Sequence, residues 1–179
     1  MAGMKEIRDH IKSVEQTLKI TNAMYLISSS NLRKARKQLH DVEPYFQKIE
    51  TTISDILHHS PEIDHPFFDK RPLIPPEQRK VGYVVITGDK GLAGAYNHNI
   101  LKMAEERMAK TPAFGLFVVG QAGRNYFTER GIPIDAEFLY TAQDPNMGRA
   151  RDMAETLTDL FQQGELDEGH VLFTRMVTS

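Results

Sequence analysis

"VGYVVITGDKGLAGAYNHN", residues 81–99, decides how the rest of the chain is read. Val81 to Ile86 is a run of strand-forming residues broken only by Gly82, and glycines follow at 88, 91 and 94. From Ala95 the residues are compatible with a helix. A strand, a glycine turn and a helix in succession raise the question of a phosphate cradle. A Walker-type loop needs Lys-Ser or Lys-Thr after its last glycine, to reach phosphate and Mg²⁺. Gly94 is followed instead by Ala95-Tyr96-Asn97, and the spacing is G-x-x-G-x-x-G rather than G-x-G-x-x-G. The acid that would hold a ribose falls at Glu105 or Glu106, in mid-helix rather than at a strand end. Dipole grounds still allow an anion at the helix N-terminus. The glycines alone do not specify a nucleotide.

Downstream the same alternation repeats. Strands are expected at 81–87, 114–119, 134–140 and 170–176, with helices at 95–109, 121–129 and 149–163. Unbroken apolar strands separated by helices predict a mostly parallel sheet covered on both faces, a Rossmann-like body of class α/β. On this reading the chain ends just as its fourth strand ends.

Upstream, residues 60–80 ("SPEIDHPFFDKRPLIPPEQRK") hold five prolines and read as a linker. Before them the pattern changes to a heptad. Every seventh residue from Met4 gives Ile11, Leu18, Tyr25, Leu32, Leu39, Phe46 and Ile53. The alternate seam positions are Ile7, Val14, Thr21, Ser28, Ala35, Val42, Ile49 and Ile56. A 3-4 spacing held this long marks a helix that packs in a supercoil. Neither glycine nor proline interrupts residues 4–43, and Pro44 is expected to bend or restart the helix. The expected organisation is therefore a coiled-coil helix over 1–59 with a break near Pro44, a linker over 60–80 and an α/β domain over 81–179.

Forty helical residues make a rod of ~60 Å, whereas a body of somewhat over a hundred residues has a radius of gyration near ~13–15 Å. Such a rod is expected to project. Its seam is large and apolar at the ends but small or polar in the middle, at Thr21, Ser28 and Ala35, while Ile20, Met24 and Ile27 form a second apolar stripe. One partner helix would not cover both stripes, so a rod surrounded by neighbours accounts for the pattern better than a plain two-helix hairpin. Nothing further along repeats the heptads at comparable length. The cover is expected from another chain, or from a segment outside this sequence.

Composition narrows the choice of function. Residues 1–39 carry eight Lys and Arg against three acids, whereas acids outnumber bases 21 to 14 from residue 40 onward. A basic arm leaves an acidic body. With no cysteine there is no disulfide, no thiolate metal site and no thiol nucleophile. There is no signal peptide, and no apolar run approaches the ~20 residues that cross a bilayer. His58, His59 and His65 lie near Glu62 and Asp64, but in a proline-punctuated stretch that does not fix metal geometry, so they read as surface histidines. No nucleophile–base pair or oxyanion site follows from the spacing, and no cofactor is expected. The basic arm lacks the interleaved aromatics of a nucleic-acid surface.

Two stretches in this order resemble the γ subunit of F-type ATP synthases. In "KEIRDHIKSVEQTLKITNAM" (5–24), Ile7, Arg8, Ile11, Ser13, Val14, Thr17, Lys19, Ile20, Thr21, Ala23 and Met24 match the signature of that family's first helix. In the second stretch, Asp89, Lys90, Gly91, Leu92, Gly94 and Asn97 match its D-[RK]-G-L-C-G turn, with Ala93 where cysteine is usual. Pro44-Tyr45 after the first helix matches as well. The segment "YLISSSNLRKAR" (25–36) is more polar than the family's counterpart, which leaves room for a divergent paralogue.

The resemblance implies a rotor subunit without catalysis of its own, carrying torque between ion translocation through a c-ring and the nucleotide sites on β. It implies α, β and ε subunits and the c-ring as partners, with the membrane reached only through them, at the cytoplasmic face of a bacterial inner membrane. Arg8, Lys12, Lys19 and Met24, with Asp89, Lys90, Gly91, Leu92, Ala93 and Gly94, become candidate contacts to the stator, where the cations would meet acidic loops. It also implies that the family's last strand and C-terminal helix are missing. Without that partner helix, the N-terminal segment is expected to be disordered alone or to pair with a second copy. Two other readings stand beside this one: a small α/β nucleotide- or phosphate-binding protein using the 88–94 turn, and a coiled-coil adaptor with an appended domain.

Overall fold

A computed structural model of the chain describes every residue except 1, 61–64, 70, 92, 140, 143 and 176–179. It divides into two compact units, residues 1–63 and 64–179.

The first unit is dominated by one helix, α1, Ala2–His59, of 58 residues. At 1.5 Å per residue it is ~87 Å long. Thr17, Thr21, Thr51 and Thr52 each donate their hydroxyl to the carbonyl four residues back, at 2.8–3.0 Å, so these β-branched residues sit in the helix without a stranded polar atom. The expected break at Pro44 does not divide the element, because α1 continues through it. Pro44 occupies the outward f position of the heptad, where its ring meets no seam. The bond it forfeits is to the His40 carbonyl, and on an exposed helix water can serve that oxygen.

Every expected seam residue from Met4 to Val42 is exposed, with Tyr25 at 70% and Leu39 at 64%, and so are Ile20, Met24 and Ile27. An apolar stripe of this length standing in water is costly unless something covers it.

The second unit begins with residues read above as a linker. They form single 3-10 turns at Pro66–Phe68 and Pro76–Gln78 and are fastened down by two arginines. The Arg71 guanidinium pairs with Asp69 at 3.0 Å, lies 4.3 Å over the Phe161 ring and donates to the Phe161 carbonyl. Arg79 pairs with Glu168 at 2.6 Å and donates to the Ile74 carbonyl.

The body proper is a four-stranded sheet: β1 (Lys80–Ile86), β2 (Ala113–Val119), β3 (Ala136–Phe138) and β4 (Glu168–Leu172). Its helices are α2 (Tyr96–Met108), α3 (Gln121–Glu129) and α4 (Met147–Gln162). The strand order is β3-β2-β1-β4 and every pairing is parallel. Alternation along β1 builds both faces. Val81, Tyr83 and Val85 join Ile100, Leu101, Leu116 and Phe127 under α2 and α3. Val84 joins Phe117, Val119 and Leu166 on the face lined by Met153, Leu157 and Leu160 of α4.

Two strands differ from the expectation. β3 covers only Ala136–Phe138; just before it Asp135 bonds Leu116 twice, its carboxylate accepting the Leu116 N–H at 2.7 Å and its own N–H donating to the Leu116 carbonyl at 2.8 Å, while residue 140 of the expected strand lies outside the described residues. β4 lies two residues earlier than expected and ends at Leu172, since Asp167 and Glu168 dock against Lys80 and Arg79 and set its register.

Candidate functional site

The glycine turn leaves the carboxyl end of β1, and its base is fixed by an accounting of hydrogen bonds. Thr87 is fully buried, and both its N–H and its hydroxyl donate to the Val119 carbonyl at 2.8 Å. The Thr87 hydroxyl oxygen in turn accepts the Gly123 N–H at 2.9 Å. The Gly88 carbonyl accepts the Ala122 N–H at 3.0 Å, and Asp89 Oδ1 accepts the Gln121 N–H at 3.0 Å. The first three N–H groups of α3, which a helix leaves without internal partners, therefore all end on residues 87–89. On the other side of the turn the Gly88 N–H donates to Asn97 Oδ1 at 2.9 Å.

This packing depends on a missing side chain. At Gly120 φ is +93°, and a Cβ there would lie 2.3 Å from the Thr87 carbonyl oxygen. Only glycine tolerates both. At Gly123 a Cβ would come within 2.7 Å of Val118 and 3.0 Å of the Thr87 hydroxyl.

A phosphate cradle needs backbone N–H groups free to converge on an anion. Here Gly88 gives its N–H to Asn97, and the mouth of α3 is closed by the carboxylate of Asp89. The turn is an exposed tip on a fixed base: Lys90, Gly91, Ala93 and Gly94 are exposed, while Thr87 to Asp89 are held in. Leu92 lies outside the described residues. Asp89, singled out above as a surface contact, directs its Oδ1 inward, and Lys90 is the cation left at the tip.

The remaining candidates lie on α1. Arg8 and Lys12 are one helical turn apart and Lys19 follows two turns on, so all three flank one side of the helix, and all are exposed. Met24 is exposed on the opposite flank of the seam. Of the histidines, His59 has a ring nitrogen 2.8 Å from the Asp55 carbonyl, and His65 accepts the Phe67 N–H at 3.2 Å, capping a 3-10 turn. Glu62 and Asp64 lie outside the described residues. Among those described, no three His, Asp or Glu side chains are placed to share a metal ion.

Two clusters were missed in the sequence. Tyr126 donates to Glu105 at 2.8 Å, and Arg130 both pairs with Glu105 at 3.1 Å and lies 3.6 Å over the Tyr126 ring, tying α2 to α3. Burial, helped by the Glu105 bond, pushes the Tyr126 phenol above its ordinary value. Glu168 receives Arg79 and His170, and those bonds hold its carboxyl below its ordinary value. No local pattern announces partners separated by some ninety positions. The helical spacing Tyr126–Arg130 is the one signal that was available.

Comparisons with known proteins agree on one family. A family model described as "ATP synthase" matches residues 3–179. The chain is 43% identical over 178 residues to the ATP synthase gamma chain of Ruminiclostridium cellulolyticum, covering 99% of this chain and 60% of that one. It is 41% identical to that of Acetivibrio thermocellus, covering 100% and 60%. The sodium-ion-specific gamma chain of Acetobacterium woodii is 36% identical, covering 99% and 57%. The chain thus spans about 60% of the length of the curated relatives it matches. Among solved structures, the central stalk and c-ring of the Tetrahymena thermophila mitochondrial ATP synthase aligns at a TM-score of 0.54 and 21% identity, over 70% of this chain and 53% of that one, a likeness of fold.

Proposed function

The chain belongs to the ATP synthase gamma-chain family, and on that premise we propose that it serves in the central-stalk rotor of the F1 sector. In that role it carries torque between ion translocation through the c-ring and the catalytic sites on β, and performs no catalysis itself. The observation that carries the reading is the exposed seam of α1, an apolar surface ~60 Å long from Met4 to Val42. A shaft that turns among neighbours needs such a face. Small side chains at Thr21, Ser28 and Ala35 let neighbouring surfaces approach its middle closely.

Arg8, Lys12 and Lys19 on α1, and Lys90 at the tip of the glycine turn, are the proposed cations facing acidic stator loops, with Met24 and the exposed residues Gly91, Ala93 and Gly94 beside them. Such a charge match sets register and encounter rate more than affinity. The proposed partners are the α and β subunits, the ε subunit and the c-ring. No helix of the described residues is long and apolar enough to cross a membrane, and the proposed attachment to the bacterial inner membrane, at its cytoplasmic face, is through these partners.

The test is assembly. Mixed with the α and β subunits of Ruminiclostridium cellulolyticum, the chain is expected to co-migrate with them on gel filtration. Absence of co-migration, together with micromolar binding of Mg-ATP by the chain alone in calorimetry, would replace the rotor by a nucleotide-binding protein.

A further inference from the structure

Asn97 has no part in the stator contact proposed above, yet it stands where its residue type is out of place. Asparagine is a weak helix former that serves helices best from the cap position. Here it is the second residue of α2, while the cap itself is Ala95, which has no side-chain bond to give. The Asn97 side chain reaches back nine residues instead, and its Oδ1 accepts the Gly88 N–H at 2.9 Å. Its neighbour Tyr96 directs its hydroxyl at the Ile86 carbonyl, 3.5 Å away. Both residues are half-buried. The first two residues of α2 therefore both lean on the end of β1, and the glycine turn leaves through the neck that they close.

Beyond the neck the turn has little to rest on. A Cβ at Gly91 or at Gly94 would meet nothing within 4 Å, and Gly94 has a φ of +61°. Glycines with open space around them offer a loop little resistance to swinging. The place of Lys90 is thus set by the two residues before it. Asp89 is fastened to α3 through the Gln121 N–H at 3.0 Å, and Gly88 is fastened to α2 through Asn97. One such bond is a pivot. Two in succession, to different helices, fix the direction in which the backbone delivers Lys90. A loop already fixed in that direction loses less freedom when a partner grips it.

We propose that Asn97 is a positioning residue for the stator contact: its bond to Gly88 closes the neck of the turn and aims Lys90 at the acidic partner loop. The inference deepens the rotor reading and rests on it.

Two measurements on the full chain decide it. The first needs no partner. The Gly88 amide is expected to exchange hydrogen several-fold faster in Asn97→Ala than in the parent. In Asn97→Asp, which keeps an acceptor oxygen at the positive end of α2, it is expected to exchange at the parent's rate. Alanine is the better helix former, so circular dichroism should show α2 intact in Asn97→Ala. An unchanged Gly88 rate in that variant overturns the clamp.

The second is a double-mutant cycle on association with the same α and β subunits, using the parent, Asn97→Ala, Lys90→Ala and the double variant. Asn97→Ala is expected to weaken association about threefold to tenfold, and to add almost nothing once Lys90 is alanine. A side chain that served only the stability of α2 would weaken both backgrounds alike, and that result overturns the proposal. So does association of the parent with no effect of Asn97→Ala, which leaves the rotor reading standing. If the parent itself does not associate, the rotor reading falls and the proposal falls with it.

Discussion

Asp89 Oδ1 accepts the N–H of Gln121 at 3.0 Å across 32 residues of sequence, so the turn after β1 caps the helix after β2. Neighbouring βα units are locked together at the carboxyl end of the sheet. The tip of the turn is thereby presented on a fixed base, as the proposed contact with stator loops would need.

Removing that acceptor should be felt as stability. Asp89→Ala leaves Gln121 uncapped and deprives the positive end of α3 of its carboxylate, a loss of about 1 kcal/mol. Asp89→Asn keeps an acceptor oxygen and should lose less. Urea unfolding of the two variants measures the difference. Equal stability of Asp89→Ala and the parent would mean that the carboxylate has no structural role.

The glycines at the two ends of this region should differ sharply. Gly120→Ala drives a Cβ into the Thr87 carbonyl at a φ of +93°, and is expected to cost more than about 3 kcal/mol. Gly131 also has a positive φ, +66°, but a Cβ there would meet nothing within 4 Å. Gly131→Ala should cost only the left-handed backbone penalty, about 1–2 kcal/mol. Thermal melting of the purified variants ranks them.

The Arg79–Glu168 pair predicts a dependence on pH. Arg79 first, and His170 second, hold the Glu168 carboxyl below its ordinary value of 4.5. A carboxyl whose folded pKa is lowered binds its proton more weakly when folded. Its contribution is therefore complete above the unfolded value and is lost as pH falls through the folded one. Amides of residues 71–80 should exchange faster as the pH drops below that ordinary value, once the intrinsic exchange rate is allowed for. Glu168→Gln should remove that step. A step unchanged in the variant would place its origin elsewhere.

Pro44 should be a weak point that α1 tolerates. Pro44→Ala restores a donor to the His40 carbonyl in a helix that is already continuous, and is expected to stabilise it by up to about 3 kcal/mol. The readout is a higher melting temperature at 222 nm without change in the folded signal. A gain in folded helicity would instead mean that the parent helix is interrupted in solution.

What the sequence made legible follows from where the deciding forces act. β1, α2, β2 and α3 fall within a residue or two of expectation because alternation, apolar period and the glycine stops at 88 and 120 are local signals. The α1 seam was legible for the same reason. The continuity through Pro44 was not, since it turns on whether water can reach one carbonyl. Nor was the register of β4, which Arg79 and Lys80 set from nearly ninety residues away through Glu168 and Asp167. The glycine spacing disfavoured a nucleotide. The inward turn of the Asp89 carboxylate needed coordinates, because Gln121 belongs to a different βα unit.

The measurement that bears most directly on the central claim is amide hydrogen exchange along residues 4–42, with and without α and β subunits. If the exposed seam of α1 is a face to be gripped, amides there should be several-fold to many-fold better protected in the assembled mixture than in the chain alone. If the chain joins the mixture and residues 4–42 exchange at the same rates as before, the seam is not the gripped surface and the rotor account fails at its base.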